Sequence, residues 1–285
     1  MRIFDLNING ESRSVEKRVI RSPFNEAAVG QVPQAGPGEI EAATETAVAA
    51  ARTMAALPRH ARIKALHDMA HGILRRQEEL AKIICDEAGK PITYAQGEAA
   101  RAAQTFMAAA DVLKTQGGEV IPVDSVPHGG GRTGLVRRAP LGALVGISPF
   151  NFPLNLSAHK VAPAIAAGCS MVLKPASQTP MSAMMLGTLA RDAGLPDGAL
   201  TVVPADRAAA DRLIPDERFK LLTFTGSAEV GWGMKSRAGK KKVVLELGGN
   251  AAAVVGADAD LDSVVPKLVT GAFAYAGQVC ISVQR

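Results

Sequence analysis

Five short apolar runs between residues 142 and 247 constrain this chain more than any other feature. They are Gly142-Ala143-Leu144-Val145-Gly146-Ile147-Ser148, Ser170-Met171-Val172-Leu173-Lys174, Leu200-Thr201-Val202-Val203, Lys220-Leu221-Leu222-Thr223-Phe224 and Val243-Val244-Leu245-Glu246-Leu247. Helix-forming stretches separate them. Strand alternating with helix makes a parallel sheet, because parallel neighbours need a long crossover between them. The runs lack polar alternation, as strands covered on both faces do. The fold class is therefore α/β, and ligands of such a sheet bind at the carboxyl ends of its strands.

Upstream, residues 1 to 35 mix short β-type runs with turn residues, as in Ile8-Asn9-Gly10 and Ser22-Pro23-Phe24-Asn25, which predicts a hairpin-like entry. An Ala-rich helix follows from Gly38 to Leu57. After Pro58, Ile63, Leu66, Ala70, Ile73, Leu74, Leu80, Ile83 and Ile84 recur at helical spacing, predicting one long amphipathic helix closed by Gly89. Pro91 opens another helix, Ile92 to Thr115, which stops at Gly117-Gly118. Between Val120 and Arg138, two β-prone pieces surround Gly129-Gly130-Gly131, the pattern of an exposed ribbon that needs a partner strand.

Composition narrows the function classes. Net charge is +5 with pI about 9.2, which suits an anionic ligand such as a dinucleotide. Aromatics are only 4% and the basic residues are scattered, so nucleic acid is not expected as a partner. Cys85, Cys169 and Cys280 are too far apart for a disulfide framework or a zinc spacing, and no metal is expected. The charged N-terminus and the lack of a long apolar run predict no signal peptide and no membrane span, hence a cytoplasmic protein.

The strand ends carry the chemistry. The first run ends in Ser148-Pro149-Phe150-Asn151-Phe152-Pro153, the second in Lys174-Pro175-Ala176-Ser177, the fourth in Phe224-Thr225-Gly226-Ser227 and the fifth in Glu246-Leu247-Gly248-Gly249-Asn250; Gly277-Gln278-Val279-Cys280 follows near Arg285. The Gly226-Ser227 turn into a helix would offer free N–H groups to a diphosphate. Lys174 could hold a ribose or phosphate, or could simply be a surface lysine. Glu246 and Cys280 could pair as base and nucleophile, or could be an ion-pair carboxylate and a structural thiol.

Taken together, in order and spacing, these five clusters resemble the aldehyde dehydrogenase superfamily, NAD(P)-dependent oxidoreductases acting on aldehydes. The resemblance covers essentially the whole chain. It implies a Rossmann-like sheet at 140–246, preceded by the hairpin and helices of the cofactor-binding domain at 1–123 and an oligomerisation ribbon at 124–139. Residues 247–285 would be the start of a second catalytic α/β domain, with Ala251 to Val255 as its first strand and Leu261 to Ala276 as its first helix.

The resemblance also implies site roles. Cys280 matches the catalytic nucleophile, whose thiolate adds to the aldehyde and passes through a thiohemiacetal to a thioester. Asn151 matches the oxyanion partner, its side-chain N–H acting with the Cys280 backbone N–H. Glu246 matches the base that activates water against the thioester, and its place on an apolar strand suggests partial burial. Cofactor contacts are implied at Ile147, Ser148, Pro149, Phe150 and Phe224, at Lys174 and Ser177 by the adenine ribose, at Gly226, Ser227 and Val230 by the diphosphate, and at Leu247 and Gly248 by the nicotinamide.

Many NAD-preferring relatives carry Glu where this chain has Ser177, so tolerance of NADP alongside NAD is expected. Val203-Pro204-Ala205-Asp206 departs from the Pro-Gly common in the family at that point. Family members also continue well past the cysteine and form homodimers or homotetramers. Residues 251–285 are therefore expected to leave apolar surface open and the chain alone to be weak or inactive, as from a split gene or shortened reading frame. Two alternatives stand beside aldehyde oxidation: a catalytically dead nucleotide- or partner-binding fragment, and a CoA-acylating relative, against which Glu246 argues.

Overall fold

The computed structural model describes residues 1–285. Its centre is a five-stranded parallel sheet. In chain order the elements are β1 (Arg2–Ile3), β2 (Leu6–Ile8), β3 (Glu11–Arg13), β4 (Lys17–Arg21), β5 (Ala28–Pro33), α1 (Pro37–Ala56), α2 (Arg59–Arg75), α3 (Gln77–Ala88) and α4 (Ile92–Thr115). A ribbon of β6 (Glu119–Ile121) and β7 (Gly134–Val136) follows. Then come β8 (Ala143–Ile147), α5 (Asn155–Ala167), β9 (Ser170–Lys174), α6 (Met181–Asp192), β10 (Leu200–Val202), α7 (Arg207–Asp211), β11 (Leu221–Thr225), α8 (Ala228–Arg237), β12 (Lys242–Glu246) and α9 (Leu261–Phe273).

The sheet order is β10-β9-β8-β11-β12, with every neighbour parallel. The chain builds outward from β8 through β9 to β10, then returns to the other side of β8. That reversal opens a crevice at the carboxyl ends of β8 and β11, the usual ligand position of an open α/β sheet. Side-chain alternation sorts the central strands into two cores. Ala143, Val145 and Ile147 join Ile40, Ala43 and Ala47 of α1 on one face, whereas Leu144, Met171 and Leu173 join α2, α4, α5 and α6 on the other. Every residue of β8 and β9 is buried, as their unbroken apolar runs predicted. Each fully buried Val, Leu or Ile contributes roughly 1.5–3 kcal/mol.

The entry forms two hairpins. Asn9 and Gly10 turn β2 into β3 with φ of 54° and 78°, the left-handed pair that a two-residue hairpin loop requires. The single long helix expected after Pro58 is two helices. Arg76, at φ −111° and ψ 21°, leaves the helical region, and its amide bonds back to Ile73 and Leu74 as a C-terminal cap. Arg76 then pairs with Glu79 at 2.8 Å in the first turn of α3. The ribbon exists as read, but its first strand lies at 119–121 and so begins before residue 124.

At the sheet edge β12 alternates where β8 and β9 do not: it buries Val243 and Leu245 only in part and exposes Lys242, Val244 and Glu246. Ala251 to Val255 do not form the strand expected of them. Ala251 forms an isolated bridge to Val283, and the Ala253 amide donates to the Arg285 carbonyl at 2.7 Å, too few bonds to make a strand. The helix α9 follows as expected, yet buries none of its residues, and Leu261, Val265, Val269 and Phe273 face solvent. No helix is long and apolar enough to cross a membrane.

Candidate active site and cofactor crevice

The crevice at the sheet's switch point has a volume of about 700 Å³. Its walls are strand ends. Ser148, Pro149, Phe150 and Asn151 come from the loop after β8, Ser177 from that after β9, Phe224, Gly226 and Ser227 from that after β11, Val230 from the first turn of α8, and Leu247 and Gly248 from the end of β12. Cys280 closes the same crevice from the last loop of the chain. Three residues expected at the site are absent from this wall: Ile147, Lys174 and Glu246.

Ile147 is buried in the core and does not line the crevice. Lys174 is buried too. Its Nζ curls back to the Pro175 carbonyl at 3.0 Å and the Ser177 hydroxyl at 3.5 Å, and burial, with Arg18 and Arg207 nearby, pushes its ammonium down to about 8. Arg18 donates to the Ser177 carbonyl, and Arg207 lies on the crevice wall. Ser177 thus stands among three cationic side chains, two of which the motif reading missed. Arg207 was the legible one, directly after the Asp206 that caps α7.

Glu246 is the clearest correction. Burial was expected, but β12 is an edge strand and its carboxylate is exposed. In the parallel register Glu246 pairs with Thr225, whose hydroxyl accepts a 2.8 Å bond from Lys160 Nζ; Thr223 accepts another at 3.2 Å. Lys160 is buried, and burial pushes its ammonium down to about 8 against the opposing pull of Glu246. The carboxylate therefore has a sealed lysine on its own side of the sheet. The sequence signal was a lone lysine in an apolar helix, Val161 to Ala167 following it directly.

Asn151 and Cys280 are brought together, though not as expected. Asn151 Nδ2 donates to the Gln278 carbonyl at 2.8 Å, and its Oδ1 accepts from the Phe152 amide at 3.1 Å. The N–H foreseen for an oxyanion is thus engaged by the cysteine loop itself, which turns that carbonyl toward the amide. The loop reaches this position through three consecutive left-handed residues, Tyr275, Ala276 and Gly277, at φ 53°, 54° and 71°. Two of these are not glycine, a strained arrangement worth of order 1–3 kcal/mol per residue unless its surroundings hold it. Cys280 is exposed at its end. Gly249 meets the loop from the other side, so closely that a Cβ there would lie 2.9 Å from the Cys280 carbonyl oxygen.

At the other end of the crevice, Ser227 begins α8. The first backbone bond of that helix runs from Gly231 N to Ser227 O at 3.0 Å, leaving the amides of residues 228–230 without helical partners. Their partial positive charge points into the crevice, where a diphosphate would fit. A thiol, a carboxamide, a helix N-terminus and an adjacent carboxylate are together suited to nucleophilic chemistry beside a bound dinucleotide.

Residues 10–285 match the model of the aldehyde dehydrogenase family. The chain is 39% identical over 284 residues to a 3-sulfolactaldehyde dehydrogenase of Priestia aryabhattai, covering 99% of this chain and 59% of that protein. It is 38% identical over 284 residues to the NADP(+) succinate-semialdehyde dehydrogenase of Escherichia coli, covering 98% and 58%. Among solved structures, aldehyde dehydrogenase 21 of Physcomitrella patens, in complex with the product succinate, superposes with a TM-score of 0.95 at 43% identity, covering 99% of this chain and 60% of that one. The chain spans about three fifths of the length of these relatives, 58–60%. With the sheet order, the crevice and the family match in agreement, this chain belongs to the aldehyde dehydrogenase family.

Proposed function

We propose that these residues are the cofactor-binding and nucleophile-bearing part of an NAD(P)-dependent enzyme that oxidises a small aldehyde to a carboxylic acid. The observation that carries the reading is that Cys280 and Asn151 share one crevice with the strand ends and the α8 N-terminus. Bound NAD or NADP would supply the hydride acceptor, held by the amides at the start of α8 and by Ser148 to Phe150, Leu247 and Gly248. Cys280 attacks the carbonyl carbon, and Asn151 releases Gln278 to donate to the alkoxide that forms. Glu246 takes a proton from the water that hydrolyses the thioester, with buried Lys160 on the same face of the sheet. Ser177, flanked by Arg18, Lys174 and Arg207, accommodates a 2′-phosphate, so NADP is accepted as well as NAD.

The domain division follows the same reading, with a cofactor-binding unit at 1–123 and 140–246, a ribbon between them that pairs with another copy in a homodimer or homotetramer, and the start of the catalytic domain at 247–285. Unpaired cysteines suit the cytoplasm. Glu246 and Cys280 both stand open to solvent, so turnover by these 285 residues alone is expected to be low. The test is mass spectrometry of the Cys280 peptide after incubation with an aldehyde panel and NAD or NADP. An acyl adduct that needs both aldehyde and oxidised cofactor supports the reading, and Glu246→Gln should make it persist. Cofactor binding with no adduct would favour a nucleotide-binding remnant, and an adduct discharged by CoA but not by water would favour the acylating alternative.

A further inference from the structure

The most thoroughly buried ion pair lies behind the site. Lys90 Nζ and Glu98 Oε2 are 2.5 Å apart, with both side chains fully sealed. Neither was singled out by motif, since Lys90 reads as a residue in a Gly89–Pro91 turn. Burying such a pair is costly, and replacing it by apolar residues is often neutral or better, so its partners must show what it does.

Each charge is spent on the active-site loops. Beyond Glu98, Lys90 Nζ donates at 2.6 Å to the main-chain carbonyl of Asn151. Glu98 Oε1 accepts from the amides of Leu154 and Asn155, at 3.0 and 3.1 Å, fixing the entry into α5 just past that loop. The ammonium also lies 3.8 Å from the ring centroid of Phe152 and 4.4 Å from that of Tyr275, and the two rings meet edge to face at 6.1 Å. Tyr275 is the first of the left-handed residues that lead to Cys280, and its hydroxyl donates to the Ala88 carbonyl at 3.3 Å. One cation thus holds the loop of Asn151 by its main chain and the loop of Cys280 by an aromatic face, contacts that strengthen where water is excluded.

We propose that Lys90, anchored by Glu98, is a positioning residue that sets the Asn151 loop and the Cys280 loop against each other. The inference rests on the proposed roles of Asn151 and Cys280. It explains how two αL non-glycine residues persist before the nucleophile: the buried ammonium and the Ala88 carbonyl hold Tyr275 in place.

The experiment compares hydrogen exchange and Cys280 chemistry in the 285-residue chain, in Lys90→Met/Glu98→Gln, which keeps the site neutral, and in Phe152→Leu, which leaves the ion pair intact and guards against a folding failure in the double variant. Amides 151–156 and 274–281 are expected to exchange at least about tenfold faster in both variants. The amides of Met181 and Ser182, held by Glu87, should not change and report the rest of the fold. NADP affinity should stay within about twofold while formation of the aldehyde-dependent Cys280 adduct slows about a hundredfold. Unchanged exchange in those two segments, or a rise spread evenly through the chain, would overturn the positioning role. The same local rise without any adduct in the unsubstituted chain would uphold the positioning and sink the functional reading instead.

Discussion

Asn151 Nδ2 donates to the Gln278 carbonyl oxygen at 2.8 Å, joining two loops 127 residues apart in the chain. The bond means that the crevice is built by two distant segments, neither of which forms a site by itself. It also means that the amide must exchange one acceptor for another if it is to serve an alkoxide.

Asn151→Ala separates those two roles. Loss of a partly exposed neutral bond should cost about 1 kcal/mol of stability. Loss of a donor to the developing alkoxide should cost about 3 kcal/mol, or roughly a hundredfold in the rate of Cys280 acylation. Calorimetry and quenched mass spectrometry of the Cys280 peptide measure the two effects; equal small losses in both would show that Asn151 only ties the loops.

Ser177→Glu tests cofactor choice. A carboxylate among Arg18, Lys174 and Arg207 would neutralise the positive charge around Ser177 and repel a 2′-phosphate directly. The dissociation constant for NADP is expected to rise about tenfold or more, with NAD changed much less. Fluorescence titration with both cofactors reads the ratio, and an unchanged ratio would remove Ser177 from the 2′-phosphate site.

Glu87 gives the fold a pH dependence. Its carboxyl is buried, accepting from the amides of Met181 and Ser182 at the start of α6 at 2.6 and 3.0 Å, and burial pushes it up to about 7. A carboxyl raised on folding binds its proton more tightly in the folded state than in the unfolded chain. Its contribution is therefore complete below the unfolded value of 4.5 and is lost as pH rises through about 7. The loss is on the order of 3 kcal/mol between pH 4.5 and 7. Urea melts of the chain and of Glu87→Gln across that range should show a slope in the first that the second lacks.

Gly249→Ala probes the approach of the β12 loop to Cys280. A methyl there would meet the Cys280 carbonyl oxygen at 2.9 Å, so the cysteine loop must shift by several tenths of an ångström. Acylation should slow about tenfold, since small misplacements are costly to a reaction that needs aligned atoms. Alkylation by iodoacetamide should stay within about twofold, because the thiol remains exposed. A fall in both rates would mean that the substitution buries the thiol.

The sheet was legible because its signal is local. Val145 and Ile147 take one face and Leu144 the other whatever lies beyond them, and the unbroken apolar runs of β8 and β9 required cover on both faces. The polar clusters were legible for the same reason, since a strand end opening into Gly226-Ser227 or Pro149-Phe150-Asn151 has its place set within a few residues. The break at Arg76 was not, because the apolar spacing on either side is compatible with one helix and only the backbone dihedrals end it. Nor was the failure of Ala251 to Val255 to become a strand, for pairing depends on which neighbour is in reach.

By itself the sequence determined the α/β class, the ribbon, the order of the strands along the chain and the residue types at their ends, since each follows from periodicity and turn chemistry over short spans. Tertiary structure alone decided that β12 lies at an edge and exposes Glu246, that Lys160 is sealed on the same side of the sheet, and that Asn151 meets the loop of Cys280. It also decided that Lys90 and Glu98 lie behind both. Each of these depends on how far apart two segments lie in space, and charge, burial and hydrogen bonding across such distances are properties of the packed chain rather than of any stretch within it.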